Sequence, residues 1–411
     1  MTDAQPQRLS GYAVFAAMIA AAGLPIYIHA PKFYVDEYGV SLAALGAVLF
    51  GLRLLDVVQD PLFGRLSEAL RNNRGAGVVI GCAIMAACML GLFAVTPPLP
   101  PLIWFGLMLT GVFSAFSFLT INFYAQGVVK ADRLPGNGHL KLARWRETGA
   151  LLGVCVAAIA PVMLGAFMGA PFAGFAIGFA VLAGVAVLMM RGEWVSDGLP
   201  PSVGFGVVLR DGVARKLLLI ALVNAAPVAV SSTLFLFFVE SRLEAPGKEG
   251  PLLLVFFLSA TAAAPLWGTL AERFGTKIVL VCAMLLAIAG FGWAVTLGPG
   301  DWIAFAVICV ISGATLGADL TLLPAVFATR MARISPSAAE GFGLWSFVSK
   351  FTLAFAAVTL LPALDRAGFD STATRNPPEA LALLALLYAA VPCALKVVAI
   401  MLLATTNLKE I

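Results

Sequence analysis

Charge is scarce in this sequence: Asp, Glu, Lys and Arg make up 12% of its 411 residues, about half the share a soluble domain carries. A water-facing surface over a chain this long is therefore excluded. Histidine is nearly absent, with only His29 and His139, each in or beside a loop without a second ligand at helical spacing. A zinc or hydrolytic metal centre has nothing to build on. The six cysteines, Cys82, Cys88, Cys155, Cys282, Cys309 and Cys393, all fall inside apolar stretches. None has ligand spacing, so they read as small core residues. No G-x-x-x-x-G-K-[ST] loop occurs, which removes the case for ATP hydrolysis. No small-residue cleavage pattern follows the polar start, so a retained cytoplasmic tail is expected. The net charge of +4 is spread over many short loops and offers no nucleic-acid surface. Nothing here assembles an enzyme.

What is present is hydrophobicity, at 61% of residues. A membrane-crossing helix needs roughly 20 mostly apolar residues. The apolar runs predict twelve spans, at 11–30, 41–64, 77–96, 102–126, 146–167, 171–190, 215–239, 250–271, 277–297, 302–328, 342–364 and 380–405. With both termini placed in the cytoplasm, eighteen Lys and Arg fall in inside segments and five outside, the bias that sets orientation in a plasma (inner) membrane. The expected partners are a lipid bilayer and a small-molecule substrate, with a monomer as the expected state. Gly23 and Pro25 predict a bent first span.

The chain also repeats itself. Gly64-Arg65-Leu66-Ser67-Glu68 follows the second span, and Gly268-Thr269-Leu270-Ala271-Glu272-Arg273-Phe274-Gly275-Thr276-Lys277 follows the eighth. In the first copy Arg71 to Gly75 stands in for the basic tail. This predicts a six-helix bundle at 1–190, a cytoplasmic linker at 191–214 and a second bundle at 215–411, as in a duplicated half-transporter.

Ionisable residues inside spans are expensive, and by default are read as functional. Arg53, Asp56 and Asp60 are the densest group. At 100° per residue, Asp56 and Asp60 lie about 40° apart with Arg53 within about 60° of both. One reading is a site where a proton or sodium relieves the repulsion between two carboxylates; the other is an Arg–Asp lock between helices. Asp319 in the tenth span reads as a second proton site, a substrate ligand, or the partner of Lys350 or of another helix. Asn224 in the seventh span lines a cavity or bonds a neighbouring helix. Trp345 reads as packing or as a platform for substrate. Lys396, in the twelfth span, reads as snorkelling toward the interface.

The loop repeat resembles the signature of the major facilitator superfamily. Within it, Arg53-Leu54-Leu55-Asp56-Val57-Val58-Gln59-Asp60-Pro61-Leu62-Phe63-Gly64 resembles the glycoside–pentoside–hexuronide:cation symporters. The resemblance implies an all-α membrane protein with a major facilitator fold, its twelve transmembrane helices forming two pseudo-symmetric six-helix bundles. It implies cation-coupled symport of a small organic solute, sugar-like or amphipathic, with no cofactor beyond co-transported H+ or Na+. The coupling pair lands on Asp56 and Asp60, which would also be the metal ligands if sodium is the ion, with Gln59 and Ser117 beside them. The family's intramembrane lysine lands on Lys350, and its substrate arginine on Arg146. The family's sugar-gripping acids fall on Ala20 and Thr120, and its sugar-packing aromatic on Tyr124. Both carboxylates are thus missing, so galactoside specificity is not expected. Gln59 replaces the usual asparagine and would crowd sodium, which favours the proton. Two rivals stand beside this reading: carriage of a lysolipid-like amphiphile, and a non-transporting assembly factor or sensor on the same scaffold.

Overall fold

The computed structural model describes residues 9–194, 204–335, 338–370 and 376–406. Arg8, Arg375, Lys409, residues 195–203 of the expected linker and the side chains of Arg53 and Pro25 lie outside the described residues. All regular structure among the described residues is helical. That is the form expected in lipid, where each backbone N–H and C=O must be satisfied within its own segment.

The first span is broken. Helix α1 (Ser10–Ala21) ends before Gly23, and α2 (Leu24–Tyr38) starts with Pro25 in its first turn, where a missing N–H is harmless. Helix α3 (Leu42–Ala69) carries the ionisable group and is capped by Ser41, whose hydroxyl accepts from Ala44 N at 3.2 Å. Then follow α4 (Arg74–Phe93), α5 (Pro101–Asp132), α6 (Gly138–Gly165), α7 (Pro171–Met189) and the short α8 (Phe205–Arg210). The rest are α9 (Gly212–Phe237), α10 (Glu249–Phe274), α11 (Thr276–Gly292), α12 (Trp302–Ile334), α13 (Ala339–Arg366), α14 (Pro378–Ala385) and α15 (Val391–Ala404). Among the described residues, ten helical segments are long and apolar enough to cross a membrane. The broken α1–α2 pair and the charge-bearing α3 cover the first two spans expected from the sequence. Helix α9 runs on through a π-helical turn at Phe238–Arg242, and a second such turn at Leu386–Ala390 joins α14 to α15. The turns meet through Phe238 and Tyr388, stacked with centroids 4.2 Å apart.

The chain forms two compact units, Met1–Phe205 with Met331–Ser346, and Gly206–Arg330 with Phe347–Ile411. In the first, α1 and α6 touch backbone to backbone. A Cβ at Gly149 or Gly153 would overlap the main chain of Ala13 or Ala17, so only glycine permits this crossing. Tyr12, Phe15 and Phe123 fill the core beside it. Outward-facing side chains are apolar: Phe167 is 83% and Val162 75% exposed, an arrangement suited to hydrocarbon and costly in water.

The two loop motifs act as clamps. Lys277 Nζ donates to Ala404 O and Thr406 O, both at 2.8 Å, closing the carbonyl end of α15. In the first half, Arg74 is buried and donates to Gln126 of α5 at 3.3 Å.

Candidate functional site

The predicted face of α3 is inside the first unit. Asp60 is fully buried, and Asp56 and Gln59 nearly so. Each carboxylate receives a donor. Gln59 Nε2 donates to Asp56 Oδ1 at 2.6 Å. Ser346 Oγ, from the first turns of α13, donates to Asp60 Oδ2 at 2.6 Å. The Gln59 amide oxygen is itself taken by Ser114 Oγ at 2.9 Å. Gln59 is thereby held with its nitrogen toward Asp56. Ser117 is buried on α5, and Thr120 Oγ1 is buried without a hydrogen-bond partner among the described residues.

Contact between α3 and α13 rests on two glycines. A Cβ at Gly343 would come within 3.2 Å of Gly64 Cα and of Asp60 O. That spacing brings Ser346 into reach of the carboxylate. Trp345, the preceding residue, is half-buried. Lys350 is half-buried too, in the part of α13 that belongs to the second unit.

Arg146 and Tyr124 lie together in the first unit. The guanidinium sits 3.7 Å from the Tyr124 ring centroid, a cation–π contact. Its Nε donates to Glu147 Oε1 at 2.7 Å, and Tyr124 Oη donates to the same oxygen at 3.1 Å. Phe342 covers the ring, with centroids 5.0 Å apart. Glu147 was missed by sequence reasoning, and it neutralises the arginine. Arg146 Nη2 remains buried and unpartnered among the described residues.

In the second unit, Lys396 is a correction. Its side chain does not snorkel: it is 8% exposed, donating to Asn224 Oδ1 at 2.6 Å and to Asp319 Oδ2. Asp319 is therefore partnered by Lys396 of α15, and not by Lys350. Snorkelling needs a route for the ammonium to water, whereas this one meets two acceptors on neighbouring helices. Asn224 serves the same junction.

Near the helix ends, Asp211 caps α9 by accepting from Ala214 N at 2.7 Å, and Arg330 Nε and Nη2 donate to its two oxygens at 3.0 and 2.5 Å. The bidentate arginine, then backbone N–H groups, hold this carboxyl below its usual range against the opposing effect of burial.

The family described as MFS/sugar transport protein matches residues 9–410. Among solved structures, the human organic anion transporter MFSD10 (TETRAN) superposes with a TM-score of 0.65 at 14% identity, covering 97% of this chain and 100% of that one. At that identity the likeness shows the fold, a major facilitator fold. No curated protein matches the sequence.

Proposed function

Because this chain belongs to the MFS/sugar transport family, we propose that it is a proton-coupled symporter of a small, neutral organic solute, sugar-like or amphipathic, working by alternating access in a plasma membrane. The observation that carries the reading is the pair of buried carboxylates on α3, Asp56 and Asp60, each engaged by a hydrogen-bond donor. Ionisable groups inside a membrane helix are expensive and by default functional.

The donor pattern favours the proton. Sodium takes oxygen ligands, yet the Gln59 amide turns its nitrogen to Asp56 and its oxygen to Ser114. A proton asks only for a carboxylate oxygen. When Asp60 is charged, the Ser346 hydroxyl makes a charge-assisted hydrogen bond to it; neutralising Asp60 weakens that bond and loosens the start of α13. Loading the ion is in this way tied to helix movement.

Thr120, Tyr124, Arg146 and Trp345 are the substrate-facing candidates of the first unit, with Asn224 in the second. The Arg146–Glu147 pair has no net charge. That supports a neutral solute over an organic anion, the class named for the structural relative. Thr120 supplies a hydroxyl where galactoside carriers place an acid, so galactoside uptake is not expected.

The test is substrate-panel binding by the purified protein, read as thermal stabilisation, against sodium at fixed pH and against pH without sodium. Binding that follows pH and ignores sodium supports the proposal. Saturable sodium dependence with a flat pH response overturns it.

A further inference from the structure

We propose that the second unit holds its own ligand pocket, built to take the vicinal-diol head of a neutral amphiphile at the Asp319–Lys396 pair. This does not rest on the coupling reading, since none of the residues involved belongs to the α3 site.

A cavity of about 70 Å³ lies among α9, α10, α11, α12 and α15, with Asp319 and Lys396 in its wall. Their side chains are 10% and 8% exposed. Asp319 Oδ2 is bonded to Lys396, but Oδ1 is buried with no hydrogen-bond partner among the described residues. A buried, unsatisfied carboxylate oxygen is costly, and here its residue forms part of a cavity wall. It calls for a donor.

The other polar groups define that donor further. Ser231, Ser312 and Thr315 also line the cavity. Each hydroxyl already donates to a backbone carbonyl: Ser231 to Pro227 at 2.9 Å, Ser312 to Ile308 at 2.6 Å and Thr315 to Ser312 at 2.9 Å. What remains on each is an acceptor lone pair. Lys396 has three N–H groups and two acceptors, Asn224 and Asp319, leaving one donor. The wall thus presents several acceptors, one donor and no net charge.

A hydroxyl fits both sides of this pattern, because it donates to Asp319 Oδ1 while accepting from Lys396. A second hydroxyl on the next carbon donates to a serine or threonine oxygen. The volume permits this: at roughly 10–15 Å³ per water-sized group in this measure there is room for several. Phe256, Ile288 and Phe291 form the apolar wall for the attached hydrocarbon. An ammonium or carboxylate head would add an uncompensated charge to a neutral junction, which is unfavourable at low dielectric.

Cys393 lines the same cavity and is a built-in reporter. The experiment uses the unmodified chain in nanodiscs, with maleimide labelling of each cysteine followed by peptide mass spectrometry. The probes are 1,2-hexanediol, hexanoate and hexylammonium. Saturating diol is expected to slow labelling of Cys393 by about fivefold or more, leave exposed Cys282 unchanged, and outperform both ions. Asp319→Asn should abolish the protection and Ser312→Ala should weaken it, while Asp60→Asn keeps it. Equal protection by all three probes, none by the diol, or full protection in Asp319→Asn overturns the proposal. If Asp319→Asn fails to fold, Ser312→Ala decides alone. If Cys393 does not react at all, diol-induced thermal stabilisation across the same variants decides by the same criteria.

Discussion

Ser346 and Asp60 lie 286 residues apart in the chain, and the serine hydroxyl donates to the aspartate at 2.6 Å. A hydrogen bond to a charged group is worth about 1.5–3 kcal/mol, and it favours the ionised carboxylate over the acid. Removing the hydroxyl with Ser346→Ala should therefore weaken the tie between Asp60 and α13. Concentrative substrate uptake is expected to fall about tenfold or more, and Ser346→Thr should restore it. Concentrative uptake at the parent level in Ser346→Ala would remove Ser346 from coupling.

Asp60→Asn keeps the shape and an acceptor for Ser346 but cannot carry a charge. It is expected to insert and fold, to exchange substrate down a gradient, and to lose accumulation against one. Uptake in intact cells, compared with exchange in proteoliposomes, separates these outcomes. Concentrative uptake at the parent level would exclude Asp60 as the ion carrier.

Much of this site was legible in the sequence because helical periodicity is local. Asp56 and Asp60 could be placed on one face of α3 from their four-residue spacing alone, and Gly23 announced the break in the first span. The partners were harder to read because they are products of packing. Nothing in Gly343-Leu344-Trp345-Ser346 states that the glycine would nest on Gly64 and deliver the serine to Asp60. Adjacent helical positions do not ordinarily face each other, so the sequence carries no sign that Glu147 pairs with Arg146, yet the two long side chains meet. Lys396 was misread by a rule about helix ends, where only the tertiary contacts of α9 and α12 could have shown two acceptors waiting.

Asp211 offers a test of stability and pH. Its carboxyl is depressed by Arg330, so the stability it contributes is present above the ordinary unfolded value near 4. That contribution is lost as pH falls through the lower folded value. Asp211→Ala should cost about 1–2 kcal/mol at neutral pH by removing both cap and ion pair, with Asp211→Asn closer to the parent because asparagine still caps. In thermal unfolding, the gap between the parent and Asp211→Asn should close as pH falls below about 4, while Asp211→Ala stays less stable at every pH because it has no cap. A constant gap between the parent and Asp211→Asn across that range would contradict the assignment.

The distribution of basic residues, eighteen inside to five outside when both termini are drawn in the cytoplasm, predicts that orientation. Cysteines introduced at either terminus of intact cells should resist an impermeant thiol reagent and react after permeabilisation. Ready labelling of one terminus before permeabilisation would break the even-span topology.

Lys396 and Asp319 allow the sharpest energetic test, because a buried ion pair behaves differently when one partner or both are removed. Lys396→Met leaves the Asp319 charge buried without its ammonium, a loss that typically costs about 3–5 kcal/mol. Asp319→Asn with Lys396→Met removes both charges, and Asn224 and the new asparagine can then satisfy each other or water in the adjoining cavity. The double variant should therefore recover most of the thermal stability lost in the single one, giving a coupling energy well outside simple additivity. Additive losses would mean that the two side chains act independently, and that the junction between α9, α12 and α15 is held by apolar packing instead.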